Sequence, residues 1–435
     1  MKLRRHIRTV LKWLTPGMGV KRWLLLLACG VTLLSLGFSF LLRQLYPLPS
    51  VFYYLTFQFI PRGLRAGLFG LIGMAAAALA LIRLNRALLE PFVEPNPETV
   101  ANAVYQYRWR GRGPKVVAIG GGHGLSVLLR GLKRHTSNIT AIVTVADDGG
   151  SSGRLRRELG VLPPGDLRNC IAALADDDAL TTQLFQYRFP STSLGTNSDE
   201  SGLNGHSFGN LFITAMAEVT GSFERAVLES GRVLAVRGRV VPSTLQDVTL
   251  TADLRAEPAG MGGVAPPIRV AGESSIGEAG GAIERVYLEP DDAPAYPEAV
   301  RALLEADLIV AGPGSLYTSI LPNLLVPDIA RAVAASRALK VYVCNVATQH
   351  GETEGYSTGD HVAALEAHVG EGFFPVVLAN DNLDVDFDAS PGVELVTVDL
   401  PPAAGYRLVA GDLVDHAHPR QHDGHKLAQA LLRLL

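Results

Sequence analysis

Cysteine is scarce in this chain, and its placement excludes two classes of fold. Three cysteines serve 435 residues: Cys29 lies in a long apolar run, while Cys170 and Cys344 are far apart in apolar surroundings. That pattern supplies neither a disulfide framework nor the paired spacing of a structural zinc site. No H-E-x-x-H, C-x-x-C or Ser-His-Asp ordering occurs, and the histidine-dense "DHAHPRQHDGH" (415–425) reads as a solvated approach to the last helix.

Acid is nearly missing from the first 112 residues. Glu90, Glu94 and Glu98 stand there against 15 Lys and Arg, a balance of +12; residues 113–435 carry 24 basic against 39 acidic side chains, a balance of −15. An acidic body lacks the broad positive field that nucleic acid requires, so no nucleic-acid partner is expected. A basic arm suits the anionic cytoplasmic face of a membrane.

Charge is absent altogether from two runs. Residues 23–42, "WLLLLACGVTLLSLGFSFLL", are uncharged over 20 positions, and residues 66–82, "AGLFGLIGMAAAALALI", over 17, flanked by Arg65 and Arg83. These lengths predict two transmembrane helices. A signal peptide is the alternative for the first, but its apolar core is too long and no A-x-A cleavage site follows. Basic residues concentrate before the first run and after the second, which places both ends in the cytoplasm. The expected organisation is a basic arm (1–22), a first helix (23–42), an external loop (43–65), a second helix (66–82), a linker (83–114) and a globular domain (115–435) in a multi-pass protein of the cell membrane.

What the chain does have begins at residue 115. Short Val-rich runs at 115–120, 138–146, 306–314, 340–347, 373–380 and 393–400 alternate with amphipathic stretches. Continuous apolar runs suit strands covered on both faces, hence an α/β, Rossmann-like, doubly wound and mostly parallel sheet. Residues 232–255 predict a small inserted β-hairpin region.

Chemistry gathers where these strands end. "VVAIGGGHGLSVLLRGL" (116–132) places Gly121, Gly122, His123 and Gly124 between a buried strand and a helix. Glycine-rich turns there bring backbone N–H groups to a phosphate. Leu125 stands where a dinucleotide fingerprint needs its third glycine, and no Gly-Lys-Ser/Thr completes a P-loop. The second strand ends in "ADDGGSSGRLR" (146–156), with Asp147, Asp148, Gly150, Ser151, Ser152 and Arg154. Adjacent carboxylates beside an anion cradle suit Mg²⁺ bridging to a diphosphate, or acceptance of ribose or sugar hydroxyls. In "PPGDLRNC" (163–170), Asp166 is either a helix N-cap or a ligand group. Arg168 and Asn169 follow in the first turn, where a basic residue is poorly placed unless an anion is present. "NGHSFGNLF" (204–212) offers His206, as cap or as acid/base, with Asn210. "AGPGSLYTSILPNLL" (311–325) offers Gly312, Gly314, Ser315 and Thr318 as a second phosphate or sugar loop.

Taken in order, "VVAIGGGHGLSVLLRGLK", "ITAIVTVADDGGSSGRLR", "LPPGDLRNCIAAL", "GHSFGNLFITAM", "ADLIVAGPGSLYTSILPNLLV" and "VYVCNVATQHGETEGYS" resemble the YvcK/CofD-like family over about 115–435. Two membrane helices ahead of such a domain resemble one subgroup. His123 replaces the threonine usual in the family's glycine run. The resemblance implies two activities. The YvcK branch comprises gluconeogenesis factors that bind UDP-sugars and support cell shape; the CofD branch transfers a phospholactyl group from a nucleotide-activated donor to a deazaflavin, with Mg²⁺. It implies a ligand crevice made of Gly121, Gly122, Gly124, Asp147, Asp148, Ser151, Ser152, Arg154, Asp166, Asn169, Asn210 and the loop 312–319, with Arg420 near the last helix added to them. The expected protein is a membrane-tethered UDP-sugar-binding factor without a tightly bound organic cofactor, forming a homo-oligomer and acting on a further protein. A Mg²⁺-dependent transferase, with the metal on Asp147 and Asp148, is the alternative.

Overall fold

Val116–Gly120 is a strand whose five residues are all buried, as a parallel strand covered on both faces must be. It lies inside the sheet, with a parallel neighbour on each side. The computed structural model of the chain describes residues 31–32, 35, 53–54, 57–89, 111–175, 180–190, 202–255, 267–279, 281–387, 391–399 and 405–435. The chain divides into two compact units, Met1–Trp109 and Arg110–Leu435.

In the first unit, a helix runs over Arg62–Leu89 and contains the uncharged stretch 66–82. Among the described residues no helix is long and apolar enough to cross a membrane. The second predicted span thus gains no support, and the first, 23–42, lies almost wholly outside the described residues.

In the second unit the strands are, in chain order, β1 (Val116–Gly120), β2 (Ile139–Val143), β3 (Arg239–Pro242), β4 (Thr249–Arg255), β5 (Ile268–Ala271), β6 (Ala282–Glu289), β7 (Leu308–Ala311), β8 (Leu339–Val343), β9 (Val376–Asn380), β10 (Arg407–Gly411), β11 (Val414–Asp415) and β12 (His418–His422). Seven form one sheet in the order β10-β9-β8-β7-β1-β2-β3. Every pairing in it is parallel. The Rossmann-like reading holds. Strands β4, β5 and β6 form a separate antiparallel sheet, larger than the predicted hairpin, and β11 pairs with β12.

Strand order places the crevice. The chain steps from β1 to β2 and β3 on one side, then returns to lay β7, β8, β9 and β10 on the other. Loops leaving β1 and β7 therefore diverge onto opposite faces, and a cleft opens at their carboxyl ends. Helices Gly122–Leu132, Gly165–Leu174 and Gly424–Leu432 pack together beside β1, while Pro297–Glu305 packs on Pro327–Ala335.

One expected strand is absent. Residues 393–400 make a single antiparallel bridge, Ala347↔Leu395. Their backbone pairs with the loop after β8 instead, through Val396 N–H to Val346 O at 2.9 Å and Thr348 N–H to Glu394 O at 2.8 Å. β10 occupies the sheet edge beside β9, so this apolar segment covers the loop at the mouth of the cleft.

Candidate functional site: a cleft at the strand switch point

The glycine run is shaped by what presses on it. A Cβ on Gly121 would collide with Asp166 Oδ2, and one on Gly124 would lie 2.6 Å from the Pro313 carbonyl oxygen. Gly122 adopts φ +56° at the start of its helix, a region that favours glycine. The opposing wall follows β7. Gly312 has φ +86°, and Gly314 is clamped by Asn345, whose Oδ1 accepts from Gly314 N–H at 3.1 Å and whose Nδ2 donates to Gly314 O at 2.9 Å. Gln349 Nε2 donates to Ser315 Oγ at 2.7 Å. Buried Asn323 ties the two walls, donating to Gly120 O at 3.0 Å and Ser319 O at 2.7 Å.

Between the walls lies a cleft of about 570 Å³, lined by Gly121, Gly122, His123, Gly124, Asp166, Gly314, Ser315 and Arg420 among the predicted residues. Its lining also includes Glu273, Ser319, Asn345, Gln349, His350, Gln421 and His422. The β11–β12 hairpin delivers Arg420 and His422. Burial pushes His422 down to about 4, so it is neutral at physiological pH. His123 is exposed on the rim, its pKa lowered by partial burial and then by Arg168, Arg130 and Arg188.

Acid collects on the floor. Asp166 is no helix cap: Pro164 holds the N-cap position, with no side-chain cap bond. The Asp166 carboxyl instead reaches the glycine run and accepts from the Gly122 N–H. Burial, and then the charge of Asp147, raise it to about 7. Burial also raises Asp147, against hydrogen bonds from Gly149 and Ser152 and with a smaller push from Asp148. Glu273, from the antiparallel insert, is raised to about 9 by burial and then by Asp147, Asp166, Glu352 and Asp148. Thr318 Oγ1 donates to Glu352 Oε1 at 2.9 Å, and burial raises the Glu352 carboxyl. Arg168 acts on Asp166 and Arg156 on Asp147, and each offsets the effect of burial only in part.

Asp148 is turned away from Asp147 toward other work. Its Oδ1 accepts from Ser274 N–H at 2.9 Å and Ser274 Oγ at 2.6 Å, holding the start of the insert's short helix Glu273–Ala279. Among the described residues, no three His, Cys, Asp or Glu side chains are grouped tightly enough to hold a metal ion unaided.

The remaining predicted residues form a second, internal group. His206 is buried, with Nδ1 2.9 Å from Ser151 Oγ, and Asn210 Nδ2 donates to the same hydroxyl at 3.0 Å. Ser207, not His206, caps the helix Phe208–Thr220, accepting from Asn210 N–H. Ser152 Oγ accepts from Gly165 N–H at 3.1 Å, and Arg168 Nη2 donates to Asn169 Oδ1 at 2.7 Å. Arg154 reaches the Asn204 carbonyl. Gly150, with φ +45°, opens the helix Gly150–Leu159. None of these lines the cleft.

Sequence reading missed Glu273 and His422. Glu273 lies in a Gly- and Ala-rich stretch where nothing local marks an acid as inward-facing. His422 belonged to the histidine-dense stretch assigned to solvent.

A family profile described as "2-phospho-L-lactate transferase CofD" matches residues 116–414. The chain belongs to the CofD-like family. Within it, this CofD-like chain is similar to the "Gluconeogenesis factor" of Bacillus subtilis, with 46% identity over 333 residues, covering 75% of this chain and 99% of that one. It is 50% identical over 265 residues to the "Gluconeogenesis factor" of Halalkalibacterium halodurans, covering 61% of this chain and 77% of that one. A crystal structure of a UPF0052 family member from Bacillus halodurans superposes with TM-score 0.65 at 43% identity, covering 74% of this chain and 99% of that one.

Proposed function

We propose that the chain is a membrane-tethered gluconeogenesis factor whose cytoplasmic cleft binds a UDP-sugar and whose occupancy links carbon metabolism to cell shape and envelope synthesis. The observation that carries this reading is the 570 Å³ cleft at the strand switch point, walled on one side by the glycine run. Backbone N–H groups at the start of the helix Gly122–Leu132 suit a diphosphate. Gln349 and Arg420, in the cleft lining, offer hydrogen bonds to the nucleoside end. The tether rests on the uncharged run 23–42, with 66–82 beside it. A homo-oligomer and a downstream protein partner belong to the same proposal.

The acidic floor fits Mg²⁺. This ion typically takes one or two carboxylates and completes its shell with substrate phosphates and water. Asp147 and Asp166 would hold it, rather than the adjacent pair Asp147 and Asp148, since Asp148 is committed to Ser274. Bound there, Mg²⁺ would neutralise the diphosphate charge. The match of residues 116–414 to the transferase profile favours a second reading, a Mg²⁺-dependent CofD-type transferase.

Calorimetric titration of the full-length protein with UDP-N-acetylglucosamine, with and without Mg²⁺, followed by product analysis, separates these readings. Binding without turnover supports the factor, metal-dependent release of UMP establishes the transferase, and no binding in either condition overturns both.

A further inference from the structure

Beside the cleft lies a cluster of arginines that, among the described residues, has no carboxylate in contact; Asp166 and Asp147 act on Arg168 only from further off. Arg154, Arg168 and Arg188 come from three segments and meet around the turn Asn204–Gly209. Arg154 Nη2 donates to Asn204 O at 2.5 Å, and Arg188 Nη1 to Gly205 O at 2.7 Å. Arg168 lies across Gly209, where a Cβ would sit 2.8 Å from its Cγ. Backbone pairing fixes Arg188 there, through Phe189 N–H to His206 O at 2.9 Å and Phe208 N–H to Tyr187 O at 2.8 Å. Among the described residues, no carboxylate lies within 4 Å of these three guanidinium groups.

The arrangement is unfavourable as it stands. Arg168 is only 8% exposed, and its Nε is buried without a hydrogen-bond partner. It sits in the first turn of the helix Gly165–Leu174, and Arg188 stands at the start of the helix Phe208–Thr220. Both are positive helix ends, where a cation is misplaced and an anion welcome. Arg168 and Arg188 also act on His123, at the rim of the cleft, so the cluster adjoins the glycine run.

We propose that Arg154, Arg168 and Arg188 form a second anion subsite, which takes a carboxylate or phosphate on the part of a ligand beyond its diphosphate. This rests on the nucleotide-sugar reading, in which that part is the sugar or an anionic co-ligand beside it. The subsite makes the protein selective for acidic over neutral ligands.

The test uses the full-length protein in detergent and two ligands that differ by one carboxylate, UDP-glucose and UDP-glucuronate, with inorganic phosphate as a separate probe. UDP-glucuronate is expected to bind at least about tenfold tighter, about 1.4 kcal/mol. Arg188→Gln, at an exposed position, brings the two within twofold while leaving the UDP-glucose Kd unchanged. Arg168→Gln does the same wherever its melting curve shows a folded protein. Discrimination lost in Arg188→Gln assigns the subsite to the sugar. Equal sugar affinities with a phosphate-induced rise in Tm that Arg188→Gln abolishes assign it to a free co-ligand. Equal affinities with a phosphate response indifferent to Arg188, or discrimination that survives both variants, overturn the subsite. Failure of both nucleotides to bind, with the Arg188-dependent phosphate response intact, sinks the nucleotide reading and leaves the subsite standing.

Discussion

Replacing Asp166 by asparagine should stabilise the unliganded protein at alkaline pH while damaging its site. The native carboxyl is raised from 3.8 to about 7, so folding favours its protonated form. The sign follows: the group costs nothing below its unfolded pKa, an increasing amount as pH rises toward 7, and its full penalty above. Integrating the proton linkage gives a penalty of about 2 kcal/mol at pH 5.5 and about 4 kcal/mol at pH 8.5. Asparagine keeps an oxygen to accept the Gly122 N–H but carries no charge. The variant should therefore gain stability over the native protein, by about 2 kcal/mol more at pH 8.5 than at pH 5.5. Urea unfolding of ligand-free protein across that range, followed by a probe in the α/β unit, measures it. A difference between the two proteins that stays constant with pH, or a variant that is less stable at pH 8.5, would refute the argument. Affinity for Mg²⁺ should fall in the same variant.

Gly124→Ala places a Cβ 2.6 Å from the Pro313 carbonyl, and the backbone there cannot swing aside as a side chain would. A loss of about 1–3 kcal/mol is expected, with weaker nucleotide binding, read by thermal unfolding and calorimetry. His368 is locked neutral, since Nε2 accepts from Val286 N–H at 3.0 Å while Nδ1 bonds Ala364 O at 2.7 Å. Burial lowers its pKa, so its contribution is present above pH 6.5 and lost as pH falls. His368→Gln should flatten the loss of stability between about pH 7.5 and 5 followed by urea unfolding, and an unchanged slope would discount the contact. A reporter fused after Leu435 should behave as cytoplasmic, whereas activity outside the membrane would reverse the proposed topology.

The parallel sheet was legible because its strands are short, continuously apolar and closed by Gly, Asn or Asp. The glycine run and the loop after β7 were legible for a related reason. A chain that crowds Gly121, Gly124 and Gly314 at strand ends declares that something must come close. Residues 393–400 misled because apolar pattern reports burial, and a segment can be buried by a loop as well as by a neighbouring strand. Asp148 misled because its partner Ser274 is 126 positions away, beyond any local signal. Glu273 was invisible for the same cause, its environment being assembled from β2, the helix Gly165–Leu174 and the loop after β8. His206, Ser151 and Asn210 were each expected in the ligand crevice, but their bonds are to one another. Sequence pattern marks a polar cluster without telling an inward network from an open one.

The two walls of the cleft are far apart in the chain. Lys115 N–H donates to Asp307 Oδ2 across 192 residues, and β1 pairs with β7 over a similar span. Closing so large a loop is slow and entropically demanding. A nascent chain that has left the ribosome only as far as the insert owns a glycine turn facing nothing. A ligand held between both walls can therefore stabilise the chain only once the loop after β7 has joined the glycine run.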